Sequence, residues 1–272
     1  MSTALFDIGG TKTRVTVSRN GRTFRKPIVY ATPRHYAEGI RQLVDAIRVA
    51  NDGWKVSRVV GCIAAPLDPK HTRTVHASNL PDWLGSPLRD DVRRRFQAPV
   101  HLENDAALAG LGEAHHGAGK GKDIVAYVTL GTGFGGVRIV DGMIDSSAFG
   151  FEPGYMTVGD PEARGMTIEQ LISGSGLSRR FHNDTQYLTK PAIWHEAEQL
   201  LAMALVNVAV LWSPNVIVIG GTIGRSTRIR LSVVRKIFRQ HLNVFHAPPT
   251  IVRSRLGDAA GLYGGLALLR KR

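Results

Sequence analysis

The 272-residue chain has a single cysteine, Cys62, so it can form no internal disulfide and build no cysteine-rich zinc site. A lone thiol suits a reducing compartment. Long apolar runs are also missing. The longest, Leu200 to Trp212, is interrupted by Asn207 and falls short of the ~20 residues that a membrane span needs. No basic segment precedes the opening apolar residues, so a secretory signal is not expected and a soluble, cytoplasmic protein is. Aromatic residues are sparse at 7% and do not interleave with the basic clusters as a single-strand-binding surface requires. Acidic residues are outnumbered, 22 against 35 Lys and Arg, for a net charge of +13. That balance favours anionic partners such as nucleotides or nucleic acid. The charge is spread out, with clusters at Arg93-Arg94-Arg95, Arg225 to Arg235 and Arg270-Lys271-Arg272, and nucleic acid is not the expected ligand.

What is present fits a folded α/β chain. With 43% hydrophobic and 21% charged residues, disorder is excluded and one or two domains are expected. Residues 3 to 9 read as a strand entering a glycine turn, and Asn20-Gly21 reads as a hairpin joining strands Arg14 to Val17 and Thr23 to Val29. Helical spacing predicts helices over about 35–50 and 88–96, with a buried strand from Arg58 to Ile63 between them. A strand from Val100 to Leu102 leads through Glu103-Asn104-Asp105 into a small-residue helix, Ala106 to Ala114. A second strand, glycine turn and strand occupies 124–140, with Gly131 to Gly136 as its turn. This repeats the pattern of residues 3–17 and suggests an internal duplication. A helix from Ala192 to Trp212 and a strand from Val216 to Ile219 precede Gly220-Gly221-Thr222. The last segment, 258–272, reads as a helix capped by Asp258 with cations at its end.

The candidate chemistry lies at the glycine turns and the acidic residues near them. In Gly9-Gly10-Thr11-Lys12 and Gly131-Thr132-Gly133, glycine lets backbone N–H groups converge on an anion, while Thr and Lys add donors and charge. Each turn alone is equally an ordinary hairpin turn. Neither has the spacing of a P-loop or a dinucleotide motif. Together with Gly220-Gly221 they point to phosphate. Asp7 is either a turn cap or a carboxylate that holds Mg²⁺ beside phosphates. Asn104-Asp105 is either a helix cap or the site of a general base. Glu152, Tyr155 and Glu169 lie among turn residues and offer polyol-type contacts, or are solvated. His115-His116 reads as a helix end and Cys62 as core.

The motifs together resemble the ROK family of bacterial sugar kinases, within the actin-like ATPase superfamily. Asp7-Ile8-Gly9-Gly10-Thr11-Lys12-Thr13 resembles the family's first phosphate loop, and Leu130 to Gly136 resembles the second. Glu103-Asn104-Asp105-Ala106 is similar to the stretch with the sugar-binding Asn and catalytic Asp, and Pro214 to Gly221 to the strand beside adenosine. The resemblance implies a two-lobed, ribonuclease H-like α/β fold with a central cleft. The smaller lobe would be 1–108, with helix 258–272 packed back on it, and the larger 109–257. It implies ATP and Mg²⁺, with Asp7, Gly9, Gly10, Thr11, Lys12, Gly131, Thr132, Gly133, Gly220 and Gly221 on the nucleotide side and Asp7 near the metal. Asp105 would be the base. Asn104, Asp105, Glu152, Tyr155 and Glu169 would meet the sugar, and Asn79 is similar to a loop residue at the sugar cleft.

Tyr155 stands where many members carry a His that contacts sugar and binds zinc. The family's cysteine cluster is missing from 159–167, so no structural zinc is expected. The expected activity is phosphorylation of a hexose, glucose first, at its 6-hydroxyl. Fructose, mannose, N-acetylmannosamine and a catalytically silent sugar sensor are the alternatives. Regulators in the family carry a DNA-binding segment ahead of the first loop, and none is expected here. Dimers are usual in the family, which leaves a homodimer open.

Overall fold

In the computed structural model, residues 1–76, 80–157 and 165–269 are described. The chain forms two compact units. One holds Met1–Gly112, Ser147–Gly150 and the C-terminal segment from Ala259, and the other holds Glu113–Ser146 and Phe151–Asp258.

The first unit is built on β1 (Ser2–Ile8), whose Ala4, Leu5, Phe6 and Ile8 are buried. It pairs antiparallel with β2 (Lys12–Ser18) and parallel with β4 (Val56–Ile63). β3 (Ile28–Ala31) and β5 (Val100–Asn104) complete the order β3-β2-β1-β4-β5. The hairpin expected at Asn20-Gly21 is corrected here. The turn forms, with Gly21 at φ 66° and the Asn20 side chain accepting from the Arg22 and Thr23 amides at 2.9 Å each. The strand after it, however, begins only at Ile28. Asn20 has drawn the following amides into the turn, and Pro27 has no N–H for the ladder.

Helix α1 (Tyr36–Asn51) ends at Asp52 in the left-handed conformation and buries Ile40, Leu43, Val44 and Ile47. α2 (Leu88–Phe96) buries Leu88 and Val92. Trp83 is 1% exposed and donates to the Pro33 carbonyl at 3.1 Å. Its ring fills the place a Cβ on Gly39 would take. The C-terminal helix α8 runs from Ala260 to Leu269. It does not start at Asp258, which lies in a 3₁₀ turn, Gly257–Ala259, and pairs with Arg225 at 3.7 Å. The three terminal cations lie outside the described residues. α3 (Asp105–His116) carries Gly112 against the Ala260 carbonyl, and Gly264 of α8 meets the Leu108 carbonyl. The small residues of both helices therefore allow close backbone approach.

The second unit repeats the sheet. β6 (Ile124–Leu130) pairs antiparallel with β7 (Phe134–Val140) and parallel with β9 (Val216–Gly220). With β8 (Met143–Ile144) and β10 (Thr250–Arg253) the order is β10-β9-β6-β7-β8. Read outward from the hairpin, two antiparallel and two parallel neighbours recur in the same sequence order in both sheets. The duplication suggested by the glycine turns thus extends to whole-sheet topology. The second turn is shorter than expected. Gly135 and Gly136 belong to β7 and pair with Thr129 and Val128.

α4 (Ile168–Ile172) begins in a capping box of Thr167 and Gln170. It is followed by α5 (Gly174–Arg180), α6 (Pro191–Trp212) and α7 (Leu231–His241). Leu201, Leu205 and Val208 of α6 join Ile217, Ile219, Val234 and Phe238 in the core. Among the described residues no helix is long and apolar enough to cross a membrane.

Candidate functional site

The predicted residues form two clusters, one in each unit. In the first, the Gly9 turn closes by Gly9 N–H to the Lys12 carbonyl at 3.0 Å. Thr32 clasps it from β3's end, donating its hydroxyl to the Gly9 carbonyl at 2.7 Å and its amide to the Thr11 carbonyl at 3.0 Å. Thr11 and Lys12 are exposed. Asp7 lies at the end of β1, with Cys62 Sγ 3.5 Å from its Oδ1. Cys62 is core, as expected, but it is core beneath this cluster. Burial raises its pKa well above the ordinary value, and Asp7, Asp105 and Glu103 add to the rise. Asn104 and Asp105 stand where β5 passes into α3. Asn104 Oδ1 accepts from the amides of Ala106 at 2.9 Å and Ala107 at 3.3 Å, and Asp105 Oδ1 from Ala106 at 2.8 Å. Asn104 therefore caps the helix and fixes the base candidate beside it.

In the second unit, Leu130 to Gly133 is gripped from two directions. The Leu130 carbonyl accepts from the amides of Ile223 at 3.0 Å and Gly224 at 2.9 Å. The Gly131 carbonyl accepts from Gly174 N at 2.7 Å, and the Thr132 carbonyl from Ser175 N and Oγ at 3.0 and 2.7 Å. Gly221 has φ 80° and lies so close that a Cβ would overlap the Leu130 carbonyl. These segments border a 470 Å³ cavity, lined among others by Thr132, Ser175, Trp194, Thr222 and Arg228. Arg228 lies 5.5 Å from the Trp194 ring centroid, a cation–π contact.

Glu169 joins this loop to the remaining candidates. Its Oε2 accepts from the Phe134 amide at 2.8 Å and would lie 2.7 Å from a Cβ on Gly133. Glu169 is half-buried, whereas Glu152 keeps an exposed surface while being partly desolvated by its neighbours. Burial and the Glu169 carboxylate raise the pKa of Glu152. The Tyr155 phenol is raised by burial, Glu169 and Glu152, and the residue is 57% exposed. Two carboxylates and a phenol so placed can accept from and donate to the hydroxyls of one polyol.

Trp194 carries no sequence signal beyond its place in the predicted 192–212 helix, and Arg228 none beyond the basic cluster 225–235, yet both line the cavity. In that basic cluster, Arg230 makes two side-chain bonds to buried Glu198 at 2.8 and 2.7 Å, and Arg235 donates to the Ile251 carbonyl. His115 Nε2 donates to the Gly142 carbonyl at 2.9 Å at the end of α3. Asn79 and residues 158–164, most of the stretch where the family's cysteines would fall, lie outside the described residues. Asp7 is a single oxygen-donor carboxylate at a phosphate-type turn. That donor set fits Mg²⁺, which is bound through one or two carboxylates plus substrate phosphates rather than an all-protein cage.

Two sheets of one order, each with a glycine turn between its first two strands, define the two-lobed actin-like ATPase fold that the sequence implied, seen also in solved relatives. The family model of the ROK family matches residues 3–272, and the chain belongs to that family. An N-acetyl-D-glucosamine kinase of Citrobacter koseri is 29% identical, covering 97% of this chain and 97% of its own length. The ROK hexokinase of Thermus thermophilus superposes with a TM-score of 0.83 at 26% identity, covering 98% of this chain and 97% of that one. The ROK glucokinase of Streptomyces griseus, solved with glucose and AMPPNP, has a TM-score of 0.82 at 28% identity over the whole of both chains.

Proposed function

We propose that the protein is an ATP-dependent sugar kinase that phosphorylates the 6-hydroxyl of a hexose, with glucose the first acceptor and Asp105 the general base. The observation that carries this reading is Glu169. It holds the Phe134 amide of a glycine loop and lies beside Glu152 and Tyr155, so one carboxylate ties a phosphate-type turn to polyol-type donors and acceptors. In this reading Asn104, Glu152, Tyr155 and Glu169 orient the sugar. Asp105 takes the proton of the attacking hydroxyl, the new O–P bond forms on the γ-phosphorus, and the bond to the β-phosphate oxygen breaks to release ADP. Positioning and charge stabilisation carry most of the rate. The Gly9 and Gly131 turns offer amides to the phosphates, and the cavity beside Thr132 and Thr222 takes the nucleoside. Asp7 is the residue that would hold Mg²⁺, which when bound neutralises phosphate charge.

The test is ATP-dependent phosphorylation of glucose, mannose, fructose, N-acetylglucosamine and N-acetylmannosamine, with Asp105→Asn in parallel. Turnover of one sugar, reduced about 10²–10⁴-fold in the variant, is the expected result. The N-acetyl sugars are included because the Citrobacter relative is an N-acetyl-D-glucosamine kinase. A folded protein that binds sugar and ATP yet turns over none would favour the silent sensor, for which Tyr155 in place of the family's His is the motive.

A further inference from the structure

Glu103 stands directly before Asn104-Asp105 in β5 and is 8% exposed. Its Oε1 lies 3.0 Å from His101 Nε2 and 3.2 Å from His71 Nδ1. His71 Nδ1 is also 3.0 Å from the Leu102 carbonyl oxygen. Both neighbours of Nδ1 are acceptors, so that nitrogen carries a proton. A buried carboxylate left unpaired is costly, and here the two imidazoles supply its partners.

His71 comes from a loop with its own internal ties. The Asp68 carboxylate accepts from Thr72 N at 2.5 Å, Thr72 Oγ1 at 2.8 Å and Arg73 N at 2.9 Å. Leu67 and Thr74 form an antiparallel bridge. His71 itself has φ 51°, which an ordinary side chain adopts only when its surroundings hold it there. The segment leading into this loop touches β5 a second time, where the Ala65 carbonyl accepts from Asn104 Nδ2 at 3.4 Å. Residues 65–74 thus grip the strand end at Leu102-Glu103 and again at Asn104.

We propose that His71, acting through Glu103, is a positioning residue for phosphoryl transfer: it clamps the 65–74 loop onto the strand end that presents Asn104 and Asp105. This rests on the sugar-kinase reading above. The groups facing the pair are His101 from β5, Asp68 within the loop and the buried Cys62 thiol from β4. Arg89 of α2 reaches the same loop, donating to the Lys70 carbonyl at 2.7 Å. The hydrogen bond to Glu103 raises the His71 pKa against an opposing burial effect. Burial alone would raise Glu103, but the two histidines outweigh it and hold the carboxyl at about 2. Below the His71 midpoint the clamp is an ion pair. Above it only a neutral N–H donor remains, and the grip weakens.

Two variants separate the donor from the charge. His71→Gly removes the side chain and suits the left-handed backbone, while His71→Asn keeps an amide donor and tolerates that φ. With the sugar that wild type phosphorylates, H71G is expected to lose roughly tenfold or more in kcat with KM for ATP little changed. H71N should retain most of kcat, and its pH profile should lack the alkaline decline that wild type shows as His71 deprotonates. Backbone hydrogen exchange is read on the same proteins. Residues 65–74 and 102–106 should exchange faster in H71G, with the second unit unchanged. An active wild type matched by H71G in kcat and pH profile would overturn the proposal, as would protection lost evenly through the chain. An inactive wild type sinks the kinase reading itself. The clamp is then judged by exchange alone, and unchanged protection at 65–74 and 102–106 in H71G overturns it.

Discussion

Glu152 lies beside Glu169, and burial together with that second carboxylate raises its pKa. Its charged form is therefore less favourable in the folded chain than in the unfolded one. The penalty is absent below the unfolded carboxylate pKa and grows as pH rises above it. Glu152→Gln should raise the thermal midpoint at pH 7 and leave it unchanged near pH 4. A midpoint that falls at pH 7 would mean the two carboxylates do not repel. Glycine specificity is also settled at this scale. Gly221 needs its φ of 80° and has the Leu130 backbone where a Cβ would go, whereas Gly220 meets only the Tyr127 side chain. Gly221→Ala is expected to cost about 2 kcal/mol or more in urea unfolding, and Gly220→Ala less, because a side chain can move and a carbonyl in a sheet cannot. Equal costs would contradict this. Both glycines stood out in the sequence as one motif, and only their neighbours tell them apart.

Among the elements, the segment from Arg255 to Leu256 is held by α3. The Glu113 carboxylate is fully buried and accepts from the amides of Arg255 at 2.9 Å, Leu256 at 2.8 Å and Ala118 at 2.7 Å. Glu113→Gln keeps the shape but turns one of those acceptors into a donor facing an N–H. The loss should be about 1–3 kcal/mol, measured by chemical denaturation, and a stability equal to wild type would show that water replaces the missing acceptor. Nothing in the local sequence marks Glu113, since one glutamate in a small-residue helix has no pattern. Other elements were legible. α2 occupies the predicted span because Leu88, Val92 and Phe96 follow a helical period, and β6 does because its near-continuous apolar run reads as a buried strand. α7 and β10 were not. Leu231, Val234 and Phe238 do carry a helical spacing, but the arginines among them drew attention to charge.

For the whole molecule, a net charge of +13 raises the question of nucleic acid. Part of that charge has internal work. Arg138 donates to the Trp212 carbonyl and Asp145, Arg180 to the Leu171 carbonyl and Glu196, and Arg253 to the Ser226 carbonyl. AMPPNP at a hundred times its Kd should stabilise the protein by about 2.7 kcal/mol. Duplex DNA at ~150 mM salt should give no comparable shift. Stabilisation by DNA and none by AMPPNP would reverse the assignment of the anion.

The amino-acid sequence by itself determined the family, the fold class and the glycine turns, because those depend on local backbone demands and on the order of motifs along the chain. Its strand and helix periods also placed Asn104-Asp105 at a strand-to-helix junction. Only the tertiary structure decided which side chains meet: Glu169 on the Phe134 amide, Trp194 and Arg228 on the wall of a cavity, and His71 on Glu103. Those pairs join residues far apart in the chain, where spacing carries no information and only packing brings donor to acceptor. The duplication shows both levels at once. The repeated glycine turns were visible in the residues, while the repeated strand order emerged only when β4 and β9 returned to pair with the first strand of each sheet and β5 and β10 paired beyond them.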